Sequence, residues 1–173
     1  SELMSHNSPV INGDGSYSRD LTYIDNVIQA NQLAAVTPTD DFKQKLKVYS
    51  EVIGKNYNHE SAISEVFNVA FGERTTLKEL VENLKSAMAI YDAEIMDIKI
   101  NYGPNRGGDI PHSLPSIEIA RKILCYEPDF DIKRGIEISL DWYWQNLPYL
   151  QKSPLVALYL FGGAWQTLFF GCR

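Results

Sequence analysis

The residues whose types and spacing best suit ligand chemistry begin in a glycine-rich segment near the start of the chain. The turn Gly13-Asp14-Gly15 is followed by Arg19, just before a predicted helix. Exposed backbone N–H groups, the positive end of a helix dipole and a guanidinium group all attract anions. This glycine turn segment, residues 11–25, is therefore a candidate anion-binding site.

A second candidate is the loop of residues 105–113. It carries Arg106 and Asp109, separated by two glycines that allow a loop to approach a ligand closely. The arginine could neutralise a phosphate, and the aspartate could accept hydrogen bonds from sugar hydroxyls. Together the two segments contain a set of groups that suits a phosphorylated sugar.

Structural ion pairs are the alternative for both arginines. Arg19 could pair with Asp20 or Asp25, and Arg106 could pair with Asp109 within its own loop. Either pairing would neutralise the positive charge before a ligand arrived. The residue types alone leave both interpretations open.

Alternating helices and strands must position these two segments. Apolar residues at helical spacing predict a first helix over about 23–36, with Ile24 and Val27 among its stripe, and a second over about 41–55. Further helices are predicted from the capping box at 76–79, over 117–124 and over 136–147.

Strands are fewer. Residues 10–11 are predicted to be extended, the apolar run 66–70 suits a strand covered on both faces, and the alternating residues 96–102 suit a strand with one buried face. The pattern indicates an α/β fold with a small partial sheet and flanking helices. Because a two-stranded sheet is marginal alone, a partner chain, the apolar tail or a swapped element should cover it.

The chain is predicted to have three parts. Residues 1–8 are interpreted as a tag or leader, residues 9–150 as the folded domain with an insertion at 38–65, and residues 151–173 as an apolar C-terminal tail. The apolar run 155–170 is shorter than the roughly 20 residues of a membrane span. It is expected to pack against the domain or a second subunit, with a membrane-associated tail as the alternative.

Composition limits the classes of function. The 173 residues carry a net charge of −6, which argues against a nucleic-acid binder. The two cysteines, Cys125 and Cys172, have no metal-binding spacing and are interpreted as reduced thiols. With no basic and apolar leader, the expected location is the cytoplasm.

The order of the segments resembles one protein family. Residues 11–27 resemble the GDG-x-x-x-RD-x-x-Y motif of extended short-chain dehydrogenase/reductases that act on nucleotide sugars. Residues 67–77 resemble that family's strand and capped helix, Arg106 to Ser113 its R-x-G-D loop, and residues 117–146 its closing helices. The resemblance spans about residues 9–147 and is nearest to UDP-N-acetylglucosamine/UDP-galactose 4-epimerases.

This resemblance implies roles for three residues. Arg19 and Arg106 would contact the diphosphate of a UDP-sugar, and Asp109 would contact the nucleotide ribose. The turn before Arg19 would lie near the uridine. His112 matches in position only and receives no role, and the region 38–65 departs from the family.

The resemblance also implies a Rossmann-type epimerase whose NAD-binding half is missing from these residues. The sequence has no G-x-G-x-x-G, and none of its ten tyrosines has a lysine four residues later; Tyr149 has Lys152 one position too early. Its three histidines show no metal-ligand spacing. No catalytic residue, no metal and no cofactor is therefore predicted for this chain, although the full-length family uses NAD, and whether it belongs to an enzyme stays open.

Three functions remain as hypotheses. The first is a binding module that keeps part of a UDP-sugar site without catalysing the reaction alone. The second is an epimerase subunit completed by a separate NAD-binding chain. The third is a homo-oligomeric interaction protein with relic epimerase sequence, assembled through the 155–170 run and the 38–65 region.

Overall fold

The computed structural model describes residues 2–54 and 64–152, and it describes side chains as far as residue 146. Its α-helices are α1 (Ile24–Val36), α2 (Thr39–Ile53), α3 (Leu77–Met88), α4 (Glu118–Leu124) and α5 (Ile132–Lys152). Its strands are β1 (Val10–Asn12), β2 (Ser18–Arg19), β3 (Thr75–Thr76) and β4 (Asn101–Gly103), and two 3₁₀ helices span Leu3–Ser5 and Ala93–Asp97.

The strands form two small pairs. β1 and β4 are parallel, with Ile11 opposite Tyr102, and β2 and β3 are antiparallel, with Ser18 opposite Thr76. Because helices surround these short pairs, the α/β prediction with a small sheet and flanking helices is confirmed. No helix among the described residues has both the length and the apolar character needed to cross a membrane.

The predicted capping box at the start of α3 is present. The Thr76 hydroxyl accepts from the Glu79 N–H at 3.1 Å, and the Glu79 carboxylate accepts from the Thr76 N–H at 2.8 Å. That N–H and the Thr76 hydroxyl hold the pKa of Glu79 below its usual value. A further backbone N–H at the start of α3 binds the glycine turn segment: the Lys78 N–H donates to the Gly15 carbonyl at 3.1 Å. Helix α3 is therefore docked directly on that turn.

Helix α1 faces the interior with different residues from those predicted. Its buried side chains are Asn26 and Ala30, whereas Ile24 and Ile28 are 58% and 45% exposed. Asn26 is buried because its carboxamide binds the backbone of the turn before α5. Its Nδ2 donates to the Phe130 carbonyl at 2.8 Å, and its Oδ1 accepts from the backbone of Asp129 and Phe130, each at 3.1 Å. These bonds determine the face that α1 buries.

Two strand predictions are wrong. Residues 64–70 have no regular secondary structure and pair with no strand among the described residues, and Val66 is 82% exposed, so the run is not covered on both faces. In the segment 96–102, Met96 lies in a 3₁₀ helix, and only the end of the segment forms β4. The Asp92 side chain accepts from the Glu94 N–H at 3.1 Å and begins that helix, which shortens the strand.

Two hydrophobic clusters hold the elements together. The first joins α1, α2 and α4 around Ala30, Leu46 and Tyr126, and the second joins α3 to α5 around Met88, Ile95 and Ile136. The second cluster also contains Leu3, which is 8% exposed. Leu3 therefore belongs to the packed structure, although residues 1–8 are interpreted from the sequence as a tag or leader. The predicted tail falls mainly on residues 153–173, outside the described part of the chain.

Tyr126 supplies a prediction for the pH dependence of stability. Its fully buried hydroxyl donates to the Ala70 carbonyl at 2.9 Å, and burial, together with the nearby Asp20 charge, raises the pKa of Tyr126. The unfolded chain ionises this tyrosine near pH 10, whereas the folded chain keeps it neutral to higher pH. Its stabilising contribution is therefore complete below pH ~10 and is lost as the pH rises above that value.

The free energy of unfolding of Tyr126→Phe, measured with urea between pH 7 and 11, tests this prediction. The variant should be about 1–2 kcal/mol less stable than the wild type at pH 7, because the Ala70 carbonyl loses its donor. The difference in the free energy of unfolding between Tyr126→Phe and the wild type should become smaller above pH ~10. A difference independent of pH would contradict the prediction.

Candidate functional site

The glycine turn segment and the 105–113 loop lie side by side, and the β1–β4 pair brings them together. β1 ends at Asn12 and β4 ends at Gly103, where the Gly13 N–H donates to the Gly103 carbonyl at 3.0 Å. Gly13 has a φ of 81°, and a Cβ at this position would collide with the Asn105 side chain. Glycine at position 13 therefore permits the close approach of the two segments.

Arg106 is joined to the glycine turn segment by Asn12. With the Asn12 carboxamide oxygen facing the guanidinium, that oxygen accepts from Nε at 2.9 Å and from a terminal nitrogen at 3.1 Å. These bonds use two of the five N–H donors of an arginine and leave three for another acceptor. Asn12 was not predicted as a site residue, because its role depends on the pairing of strands about 90 residues apart in sequence.

At the other end of the loop, the contacts centre on Ser18. Its N–H donates to the Pro111 carbonyl at 2.9 Å, and its carbonyl accepts from the Ser113 N–H at 3.1 Å. Its hydroxyl lies 2.9 Å from Nδ1 of His112. Ser18 is 4% exposed, so a buried serine anchors an exposed loop.

Arg19 lies beside this anchor. One terminal nitrogen of its guanidinium donates to the Ser18 carbonyl at 2.9 Å and to the Pro111 carbonyl at 3.3 Å. The neighbouring Asp20 has other partners, because its carboxylate accepts from the N–H groups of Phe71 and Gly72 at 3.1 and 2.7 Å. Asp20 thus fixes the backbone next to Arg19 without neutralising it.

The structural ion pairs considered from the sequence do not form among the described residues. Within that part of the chain, neither Arg19 nor Arg106 has a carboxylate within 4.0 Å, and Asp109 has no hydrogen-bond or ion-pair partner. Asp109 is exposed, as is Arg106. The two guanidinium groups therefore keep their charge available on two segments that are hydrogen-bonded to each other.

An open groove of about 600 Å³ lies between the two segments and α3. Its lining consists of Gly13, Asp14, Lys78, Tyr102, Gly103 and Asn105. The hydroxyl and N–H of Ser16 donate to the Asp14 carboxylate and lower the pKa of Asp14. The groove thus presents a lysine, a carboxylate and an aromatic ring to a ligand. Sequence spacing gave no signal for Lys78, because α3 brings it to the turn.

One histidine does have clustered ligand-type neighbours, which the spacing of the three histidines did not predict. His6 Nε2 lies 2.9 Å from the Asp92 carboxylate, and His6 Nδ1 lies 3.7 Å from the Glu94 carboxylate. The two ring nitrogens face different carboxylates, as in an ion-paired histidine. One donor atom from each of the three residues lies within 4.8 Å of the other two, but exposed acidic groups commonly form such clusters without a metal ion.

Comparisons with known proteins identify relatives of this chain. No family model matches its sequence. The chain is 25% identical over 140 residues to a probable UDP-glucuronate 4-epimerase of Rhizobium meliloti, a match that covers 79% of this chain and 37% of that protein.

Solved structures agree with this match. The UDP-glucose 4-epimerase of Thermotoga maritima, solved with UDP-glucose, superposes with a TM-score of 0.62 at 27% identity, covering 84% of this chain and 38% of that one. The UDP-N-acetylglucosamine 4-epimerase of Methanobrevibacter ruminantium, in complex with UDP-N-acetylmuramic acid, superposes with a TM-score of 0.53 at 27% identity, covering 82% and 37%. The chain thus spans a little over a third of the length of the proteins that it matches.

Proposed function

We propose, from the similarity of this chain to UDP-sugar 4-epimerases, that it binds the diphosphate of a UDP-sugar through Arg19 and Arg106. Asp109 would accept hydrogen bonds from the nucleotide ribose, and the turn before Arg19 would lie near the uridine. The observation that carries this proposal concerns two arginines on segments hydrogen-bonded to each other. Neither arginine has an ion-pair partner among residues 2–54 and 64–146.

The donors left on both arginines support this proposal. Each guanidinium uses two N–H groups on neutral acceptors, Arg106 on the Asn12 carboxamide and Arg19 on two backbone carbonyls. The remaining N–H groups can form charge-assisted hydrogen bonds, which are shorter and stronger than neutral ones. A diphosphate offers several acceptor oxygens for such donors.

Binding, rather than catalysis, is the role proposed for these 173 residues. They contain no glycine-rich dinucleotide fingerprint and no tyrosine with a lysine four positions later. Epimerisation by a complex of this chain with an NAD-binding chain is the second candidate. The exposed sides of the β1–β4 pair favour this second candidate, because a second chain could cover them; Val10 is 63% and Tyr102 51% exposed. Self-association and a cytoplasmic location remain predictions.

Titration calorimetry with UDP, UDP-N-acetylglucosamine, UDP-glucose and uridine tests the proposed function. We expect UDP and both UDP-sugars to bind with a Kd of about 1 mM or lower, which corresponds to about −4 kcal/mol. Uridine should bind at least ~10-fold more weakly, because it lacks the phosphates that the arginines would contact. Equal affinity for UDP and uridine, or no binding of UDP at several millimolar, would contradict the proposal.

A further inference from the structure

The 105–113 loop needs an anchor because solvent surrounds it. Every residue from 104 to 114 is exposed, and an added Cβ at Gly107 or Gly108 would meet no atom within 4 Å. Such a loop would have many conformations if nothing held it, and a ligand that needed one of them would lose affinity through the cost of ordering it.

The glycine turn segment holds this loop at two places. At the first, Asn12 accepts from the Arg106 guanidinium. At the second, Ser18 binds Pro111, His112 and Ser113 through its N–H, hydroxyl and carbonyl. The intervening residues 107–110, which include Asp109, make no hydrogen bond to the glycine turn segment in the described structure. The attachments on both sides of residues 107–110 therefore limit where Asp109 can lie.

Ser18 is fixed on its opposite side as well, because it pairs with Thr76 in the β2–β3 ladder. The anchor is thus connected to the start of α3 and does not move freely with the loop. The Arg19 guanidinium donates to the carbonyl of Pro111, the residue before His112. Displacing the loop at His112 would therefore also remove a partner of Arg19.

We infer that His112 is a positioning residue, and that its hydrogen bond to Ser18 holds the 105–113 loop in the conformation that binds the ligand. This inference rests on the proposed function for its effect on affinity. The bond can form in either protonation state of the imidazole. Nδ1 accepts from the serine hydroxyl when it carries no proton and donates to the hydroxyl oxygen when it does.

Amide hydrogen exchange measured by NMR tests the inference without any ligand. In His112→Ala, exchange of the Ser113 N–H, which donates to the Ser18 carbonyl, should become at least ~10-fold faster, while amides in α3 and α4 keep their rates. His112→Asn should restore slow exchange, because its carboxamide can replace Nδ1 as a partner for the serine hydroxyl. His6→Ala, which removes a histidine from another part of the fold, is the matched control and should leave Ser113 unchanged.

Calorimetry with UDP on the same variants provides the second measurement. His112→Ala should bind UDP about 10-fold more weakly, and His112→Asn should return most of the affinity. Unchanged exchange at Ser113 in His112→Ala would overturn the inference. Faster exchange throughout the protein would also overturn it, by showing a general stabilising role.

Two further outcomes separate the inference from the proposed function. If the wild type bound no UDP, the proposed function would fail, and the exchange rates would still decide whether His112 holds the loop. If His112→Ala did not fold, Ser18→Ala would replace it, because it removes the same hydrogen bond from the other side and should show the same local change at Ser113.

Discussion

Replacing Asn26 with leucine is expected to lower the free energy of unfolding by about 3–5 kcal/mol. Leucine has nearly the same shape but cannot form the three hydrogen bonds that connect α1 to the turn before α5. The substitution would leave the Phe130 carbonyl and the N–H groups of Asp129 and Phe130 without these partners. A fully buried unsatisfied group costs about 1–3 kcal/mol, and because these bonds are partly buried the expected total lies at the low end of that range for three groups.

Urea denaturation followed by circular dichroism measures this loss. Asn31→Leu is the matched control, because Asn31 lies on the same helix but is exposed and bonds only to the Val27 carbonyl. It should change the free energy of unfolding by about 0.5 kcal/mol or less. Similar effects of the two substitutions would show that the buried asparagine does not determine how α1 packs.

Removing both guanidinium groups is expected to abolish UDP binding. Arg19→Ala and Arg106→Ala each remove charge-assisted hydrogen bonds worth about 1.5–3 kcal/mol, so each should weaken binding by roughly 10- to 150-fold. The double variant should show no heat of binding at several millimolar UDP. Arg106→Lys should recover only part of the affinity, because an ammonium group cannot bind Asn12 and a phosphate in the geometry of a guanidinium.

Arg121→Ala is the control for charge. Arg121 lies on the exposed side of α4, so its removal lowers the net charge equally without touching either segment. It should leave the affinity for UDP within about 2-fold of the wild type, because an exposed charge that makes no contact with the ligand acts only through a field that salt screens. A loss as large as that of Arg106→Ala would indicate nonspecific attraction instead of a site.

Elements that are stabilised by residues close together in the sequence could be predicted. The α3 capping box depends on two residues three positions apart, Thr76 and Glu79, and it forms as predicted. Helix α2 also agrees with the spacing of Phe42, Leu46, Tyr49 and Ile53, which predicted a helix within the region 38–65 that is interpreted as an insertion.

Other features depend on partners distant in sequence. The inward face of α1 contains Asn26 because backbone groups about 100 residues later offer it three bonds, and no apolar pattern contains that information. The run 66–70 has the composition of a covered strand but pairs with no strand in the described structure. Composition therefore indicated which residues are apolar but could not supply their partners.

In the candidate site, too, the sequence identified some residues but not the contacts that support them. The family-like order of the motifs identified Arg19, Arg106 and Asp109, whose ligand contacts remain a proposal. The supporting contacts, Asn12 with Arg106 and Ser18 with His112, could not be predicted because they join segments about 90 residues apart. Lys78 and Tyr102 could not be predicted to line the groove, because only the fold brings α3 and β4 beside the turn.

The most direct test of a diphosphate site at Arg19 and Arg106 is a ¹H–¹⁵N NMR titration that follows the side-chain Nε–H resonances of the arginines. We expect saturating UDP to shift the resonances of both Arg19 and Arg106, while uridine shifts neither and Arg121 stays unchanged with both ligands. A UDP titration that left both resonances in place, or that shifted Arg121 instead, would contradict the proposed function.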